Sequence, residues 1–256
     1  MEVVFIGSGS VATHLALALK EKGVTISQVY SRTKSNAAAL ADKLGTSYTT
    51  DLSEIYDKAD IYFYALKDGS FRNTLKSFDL PDAIHVHTSG SISMSEFDGI
   101  ATKYGVFYPL QTFSKEKEVD FSKIPICIEA INADTQQKLL DLANLLNSKT
   151  YLISSEQRKK LHLAAVFACN FSNYMYDVSS QILEEIGVGF DILHPLIMET
   201  ALKVQSVTPY KAQTGPAVRF DDKIITKHIN MLKNRRDLKK IYKLLSKDIH
   251  KRHKKI

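Results

Sequence analysis

The chain has 256 residues, 44% hydrophobic and 24% charged, a balance that builds a packed core and excludes a disordered or fibrous protein. Its net charge of +6 is concentrated: residues 233–256 carry eleven Lys and Arg against two Asp, a local charge of +9 that leaves −3 for the rest. No apolar run approaches membrane-spanning length, and a strand starting at residue 3 leaves no room for a signal peptide, so a cytoplasmic protein is expected.

An apolar strand over 3–6 runs straight into Gly7-x-Gly9-x-x-Ala12 and then an alanine- and leucine-rich helix over 11–21. That order is what a dinucleotide pyrophosphate site requires. Gly7 permits the tight turn, Gly9 lets main chain approach the phosphates, and Ala12 lets the helix pack closely on a sheet. Ser8, Ser10 and Val11 complete a loop that brings the electropositive helix N-terminus to the ligand. The alternative is a tight strand-to-helix turn without a ligand.

A second strand over 26–30 leads into Ser31-Arg32-Thr33. NAD sites commonly offer a carboxylate here, about 20 residues beyond the glycines, and this chain offers none. Arg32 presents a guanidinium suited to a 2′-phosphate, and Ser31 and Thr33 add hydroxyls. NADP is therefore the expected coenzyme, against a solvated arginine in a turn.

A helix over 35–44 and a short strand over 47–49 follow. Asp51 or Ser53 could cap a brief helix before a buried-type strand over 61–66. Next come a helix over 69–78, strands over 83–87, 105–108 and 124–130, a helix over 134–147 and a strand over 151–153. Repeated βα units predict an α/β fold with a doubly wound, mostly parallel sheet. Beyond residue 154 strand signals stop. A long helical pattern over 155–185 ends before Gly187 and Gly189. A helix over 190–205, a loop with Pro209, Gly215 and Pro216, and a basic terminal helix complete the chain. The expected domains are a nucleotide-binding one over 1–154 and an all-helical one over 155–256.

Leu238, Ile241, Tyr242, Leu245 and Ile249 fall at helical spacing in the basic tail, which reads as an amphipathic helix with a solvated face. Nucleic-acid binding through it is the lesser alternative. Cys127 and Cys169, without metal-type spacing, read as buried free thiols in a reducing compartment. His85 and His87 share a strand face, but no third ligand is evident and no metal is expected. Phe167, Phe171, Tyr174 and Tyr176 recur at helical spacing and read as core or dimer packing.

His87-Thr88-Ser89-Gly90-Ser91 follows the fifth strand and Tyr108-Pro109-Leu110-Gln111-Thr112-Phe113 the next. His162-Leu163-Ala164-Ala165-Val166 opens the long helix that reaches Asn170, and Gly215-Pro216-Ala217-Val218-Arg219 lies in the late loop. Together these motifs resemble a family of Rossmann-like NADP oxidoreductases with a helical C-terminal domain of undefined role. That family sits near 6-phosphogluconate dehydrogenase, pyrroline-5-carboxylate reductase and the deazaflavin-dependent NADP reductases. Two positions depart from its pattern: Tyr108 stands where a His is usual, and Phe220 follows the late Arg where Gly is common. The resemblance implies a homodimer through the helical domain, with each active site between the two domains, and Ala65, Leu66 and Lys67 running along the cofactor.

Ligands of open α/β sheets bind outside the carboxyl ends of the strands, where His87 and Ser89 fall. Reduction of a carbonyl or imine needs a hydride donor and a proton donor, and histidine suits the second role. His87 is the first candidate acid, with Ser89 orienting it or binding substrate. The alternative for His87 is a satisfied structural residue. His162 is the second candidate. It lies eight positions from Asn170, about 80° around an ideal helix, so both could line one side of a cleft. No lysine falls within 161–181, which weakens lysine-assisted alcohol dehydrogenation. Gln111 and Thr112 are candidate substrate ligands, and Arg219 a carboxylate clamp or loop salt bridge. The expected activity is hydride transfer between NADPH and a carbonyl or imine carbon of a small, anionic metabolite. The alternative is a non-catalytic NADP(H) sensor or scaffold.

Overall fold

The computed structural model describes residues 1–77 and 82–254. The chain divides into two compact units, Met1–Met175 and Tyr176–Ile256.

The first unit opens with β1 (Glu2–Ile6), α1 (Ser10–Glu21), β2 (Thr25–Tyr30), α2 (Lys34–Leu44) and β3 (Ser47–Thr49). It continues with β4 (Ile61–Tyr64), α3 (Asp68–Leu75), β5 (Ile84–His87), β6 (Lys103–Pro109), β7 (Ile126–Ala130), α4 (Ala133–Leu145) and β8 (Thr150–Leu152). The eight strands form one sheet in the order β3-β2-β1-β4-β5-β6-β7-β8, parallel except where β6 meets β7. The order reverses beside β1, so the carboxyl ends of β1 and β4 flank a crevice at the switch point, the place where such sheets bind ligands. The helix expected over 69–78 ends at Leu75; Phe78 and Lys255 lie outside the described residues.

Side chains alternate across each strand, and both faces of this sheet are covered. Val3 and Phe5 enter one core with Leu15 and Leu19 of α1, Leu40 of α2 and Leu139 of α4. Val4 and Ile6 enter the other with Tyr62, Tyr64, Phe71 of α3 and Phe97. This two-sided burial explains why Ile61–Tyr64 is apolar at every position. Truncating a fully buried ring such as Phe63 to Ala costs about 3–5 kcal/mol.

After β8 the chain turns helical. Ser154 and Gln157 form a reciprocal capping box that starts α5 (Ser155–Ala165). A π-helical stretch over Val166–Phe171 joins it to α6 (Ser172–Glu184). The compact unit thus extends past the switch from strands to helices. Arg158, fully buried, is the reason: it ties α5 to β7 through Glu129 Oε2 at 2.5 Å and to the Ile92 carbonyl at 2.5 Å.

The second unit comprises most of α6, then α7 (His194–Ser206), α8 (Pro209–Ala212), α9 (Pro216–Arg219), α10 (Asp222–Met231) and α11 (Arg236–His253). The expected proline-containing loop holds two one-turn helices, each with Pro in its first turn, where a missing N–H costs nothing. The sequence reading missed α10, which Asp221 caps and Ile225 anchors. In α11 Leu238, Ile241, Tyr242 and Ile249 are half-buried, whereas Leu245 is exposed. Phe220 adopts φ 53°, the left-handed conformation that glycine takes without cost, and stacks on His250 at 4.1 Å.

One expectation about packing fails and another narrows. Cys127 is buried, but Cys169 is exposed on the π-helical stretch. Of the two roles expected for Phe167, Phe171, Tyr174 and Tyr176, exposure removes core packing and leaves dimer packing; Phe167 meets Phe171 edge to face at 4.9 Å. Helical spacing identifies a shared face and not what covers it.

Candidate functional site

At the switch point the glycine loop has the shape that the sequence implied. Gly7 sits at φ 121°, and a Cβ there would lie 2.2 Å from the Ala65 carbonyl oxygen, so only glycine lets β1 and β4 exit side by side. A Cβ on Gly9 would meet nothing within 4 Å, leaving open space beside the first turn of α1. No acidic residue occupies that turn. The donor-rich helix end and the room beside Gly9 fit a diphosphate. Ala12 is fully buried against the sheet. The Gly7 N–H donates to the Tyr30 carbonyl at 2.8 Å, and the Ser8 hydroxyl donates to Ser31 Oγ at 2.8 Å. These bonds bring Ser31, Arg32 and Thr33 to the loop. Arg32 and Thr33 are exposed, and Arg32 forms no ion pair among the described residues.

A cleft of about 400 Å³ runs from this loop over the ends of β4, β5 and β6. Gly9, Ser10 and Val11 line one end, Ala65, Leu66 and Lys67 the side, and Tyr108, Gln111 and His162 the other end. A second cavity of about 490 Å³ shares Tyr108, Gln111 and His162 and continues along Thr112, Leu161, Ala165 and Asn170. Every lining residue of both belongs to the first unit. His162 and Asn170 do border one cavity, but the π-helical turn between them, not an ideal α-helix, sets their angle.

Where the two cavities meet, the Tyr108 hydroxyl lies 3.1 Å from His162 Nδ1. Burial pushes the Tyr108 phenol up to about 12, so it remains protonated at neutral pH. Gly90 permits the pair: a Cβ there would be 2.7 Å from His162 Nδ1 and 2.9 Å from Tyr108 Cζ.

His87 requires a correction. Its ring is fully buried, stacked on Phe97 at 5.9 Å and edge-on to Phe71 at 5.4 Å, and it lines neither cavity. Burial, reinforced by the Arg158 charge, lowers its pKa to about 3, so it is neutral and cannot supply a proton near pH 7. At the end of β5 the side chain alternates inward, which the sequence order alone did not settle. Its Nδ1 instead accepts the Ser89 N–H at 3.2 Å, shaping the loop that carries Gly90. Ser89 lines the cleft, but its hydroxyl donates to Asp68 Oδ1 at 3.0 Å and accepts the Ser91 and Ile92 N–H groups. It orients the loop, not His87.

Gln111 lines both cavities, and its Oε1 accepts the Thr112 N–H at 2.8 Å. Arg219 is exposed at the end of α9 in the second unit and forms no salt bridge among the described residues. No group of His, Cys, Asp or Glu among the described residues could hold a metal ion. Among them, too, no helix is long and apolar enough to cross a membrane. Sequence reasoning missed the roles of Tyr108, Gly90 and Asp68. The first two stood inside quoted motifs, and only their meeting with His162 in space gives them a function.

Comparison with known proteins places the chain in a family. Residues 2–89 match the family model described as NADP oxidoreductase, coenzyme F420-dependent, and residues 124–249 match a domain of unknown function, DUF2520. A Bacteroides fragilis protein provisionally assigned as an NADP oxidoreductase is 45% identical over 98% of both chains, with a TM-score of 0.92. The chain belongs to this NADP oxidoreductase family. The 1-pyrroline-5-carboxylate reductase of Streptococcus pyogenes, 12% identical over 98% of both chains, shares the fold with a TM-score of 0.66. So does the Plasmodium falciparum pyrroline carboxylate reductase solved with NADP bound, at 11% identity, 98% coverage of both chains and a TM-score of 0.63. No match is found among curated proteins.

Proposed function

We propose that this family member transfers hydride between NADP(H) and a carbonyl or imine carbon of a small metabolite, with His162 as the proton donor. The observation that carries the reading is the Tyr108–His162 pair, held at the boundary between the glycine-loop cleft and a second cavity. Gly7 to Ala12 would hold the coenzyme diphosphate, Arg32 with Ser31 and Thr33 the 2′-phosphate, and Ala65 to Lys67 the nicotinamide side.

When bound, the reduced nicotinamide supplies the hydride that forms the new C–H bond and is itself oxidised. As the C=O or C=N π pair passes to the heteroatom, His162 in its protonated form gives that atom a proton from Nε2. Its Nδ1–H then donates to the Tyr108 oxygen, which fixes the ring orientation. Gln111, Thr112 and Asn170 offer hydrogen bonds to the substrate.

A second copy of the chain is the expected partner. The exposed row Leu163, Phe167, Phe171 and Tyr174 supports this, because side chains of that size are seldom left to water on one helix face. Two free thiols suit a reducing compartment such as the cytoplasm.

The test couples NADPH fluorescence with a panel of carbonyls and imines. NADPH binding and oxidation in the wild type, with binding kept but turnover reduced about 10²–10⁴-fold in His162→Gln, supports the assignment. NADPH binding without oxidation of any panel member would favour the sensor alternative instead.

A further inference from the structure

Past Tyr108 and His162 the coenzyme cleft continues into the cavity of about 490 Å³, large enough for a ligand of metabolite size. Leu110, Leu161, Ala164, Ala165 and Ala168 form much of its wall, and its polar atoms come from Gln111, Thr112 and Asn170 beside the shared pair. None of its lining residues is Lys, Arg, Asp or Glu. A substrate carboxylate carried past the His162 ring toward Ala168 would surrender water without meeting a Lys or Arg among the described lining residues, which is costly. A hydrocarbon group meets matching surface, and each methylene it buries is worth about fourfold in binding.

We infer that this cavity receives an uncharged, largely hydrocarbon substituent of the reacting carbon, so that the substrate class is a neutral ketone, aldehyde or imine. This assignment rests on the hydride-transfer reading for its orientation: the reacting carbon sits at Tyr108 and His162, and the substituent points toward Ala168. It replaces the anionic substrate expected from the sequence. Among the described residues, Lys67 is the sole Lys or Arg lining either cavity, and it lies on the glycine-loop side. The alanines set the depth. Ala164 and Ala168 are exposed, so leucine at either place shortens the cavity without overpacking the core.

The deciding experiment uses the full chain with NADP present and saturation-transfer NMR, which needs no turnover. The probes are methyl alkyl ketones from butanone to octanone and the oxo acids of the same chain lengths. Affinity for the ketones should rise about fourfold per added methylene until the cavity fills, exceed that for the matched acids, and level off at shorter chains in Ala168→Leu. Ala164→Leu provides a second truncation of the cavity, and NADPH affinity, measured by fluorescence, stays unchanged in both variants. Affinity that is flat with chain length, preference for the oxo acids, or indifference to both leucine variants overturns the inference. Failure of hydride transfer would appear separately, as ketone binding that follows chain length with no NADPH consumed.

Discussion

The Tyr108 hydroxyl reaches His162 Nδ1 at 3.1 Å, with the two rings edge to face at 6.1 Å, across a gap that exists because residue 90 has no side chain. β6 supplies one partner and α5 the other, and the loop after β5 passes between them. Two substitutions separate the parts of this arrangement. Tyr108→Phe removes the hydroxyl but keeps the ring; turnover should fall about tenfold with NADPH affinity intact, as expected for one lost hydrogen bond. Gly90→Ala forces the two rings apart. It should cost about 1–3 kcal/mol of stability and lower turnover more than Tyr108→Phe does, measured by urea unfolding and steady-state kinetics.

Coenzyme choice should turn on Arg32. Its guanidinium is exposed beside Ser31, at the edge of the glycine loop. Arg32→Glu puts a carboxylate where the proposed 2′-phosphate site requires a cation. The ratio of NADP to NAD affinity should drop at least about tenfold, given the strength of charge-assisted hydrogen bonds. Isothermal titration with both coenzymes measures it directly.

Stability should depend on pH through His87. Its folded pKa of about 3 lies below the ordinary value of 6.5, so between them the unfolded chain binds a proton that the folded chain refuses. The contribution is complete above about pH 6.5 and is lost as pH falls toward 3, with a slope of at most about 1.4 kcal/mol per pH unit. Chemical denaturation at about pH 5 and about pH 7 should show this loss. His87→Leu should flatten it, and an unchanged slope in that variant would place the dependence elsewhere.

The buried Arg158–Glu129 pair gives a fourth test. Arg158→Met leaves the Glu129 carboxylate without its cationic partner, with only the Ser155 hydroxyl among the described residues donating to it at 2.7 Å. The expected loss is about 3–5 kcal/mol, seen as a lower Tm. Removing Glu129 as well, in Arg158→Met with Glu129→Leu, should recover much of it, because the cost lies in the unpaired charge.

Much of the first unit is readable from short stretches of chain. The glycine loop, the strand ends at Ile6 and Tyr30 and the cap at Ser154 follow from local rules: backbone conformations that favour glycine, alternation along a strand, and side chains that satisfy a helix end. The Tyr108–His162 pair is not readable in this way. Tyr108 and His162 are 54 positions apart, and only the arrival of α5 beside the end of β6 makes them neighbours.

His87 shows the opposite failure. Its position after β5 matches that of a ligand-binding residue, yet its ring turns into the aromatic core with Phe71 and Phe97. The sequence by itself determined the sheet, the glycine turn at its first strand end and the basic residue placed beside that turn, because these depend on neighbours along the chain. Tertiary structure alone decided which histidine faces the cleft, that a tyrosine hydroxyl reaches it, and that no Lys, Arg, Asp or Glu among the described residues lines the adjoining cavity. Those properties depend on which side of a strand or helix meets which other element, and packing between distant segments settles that.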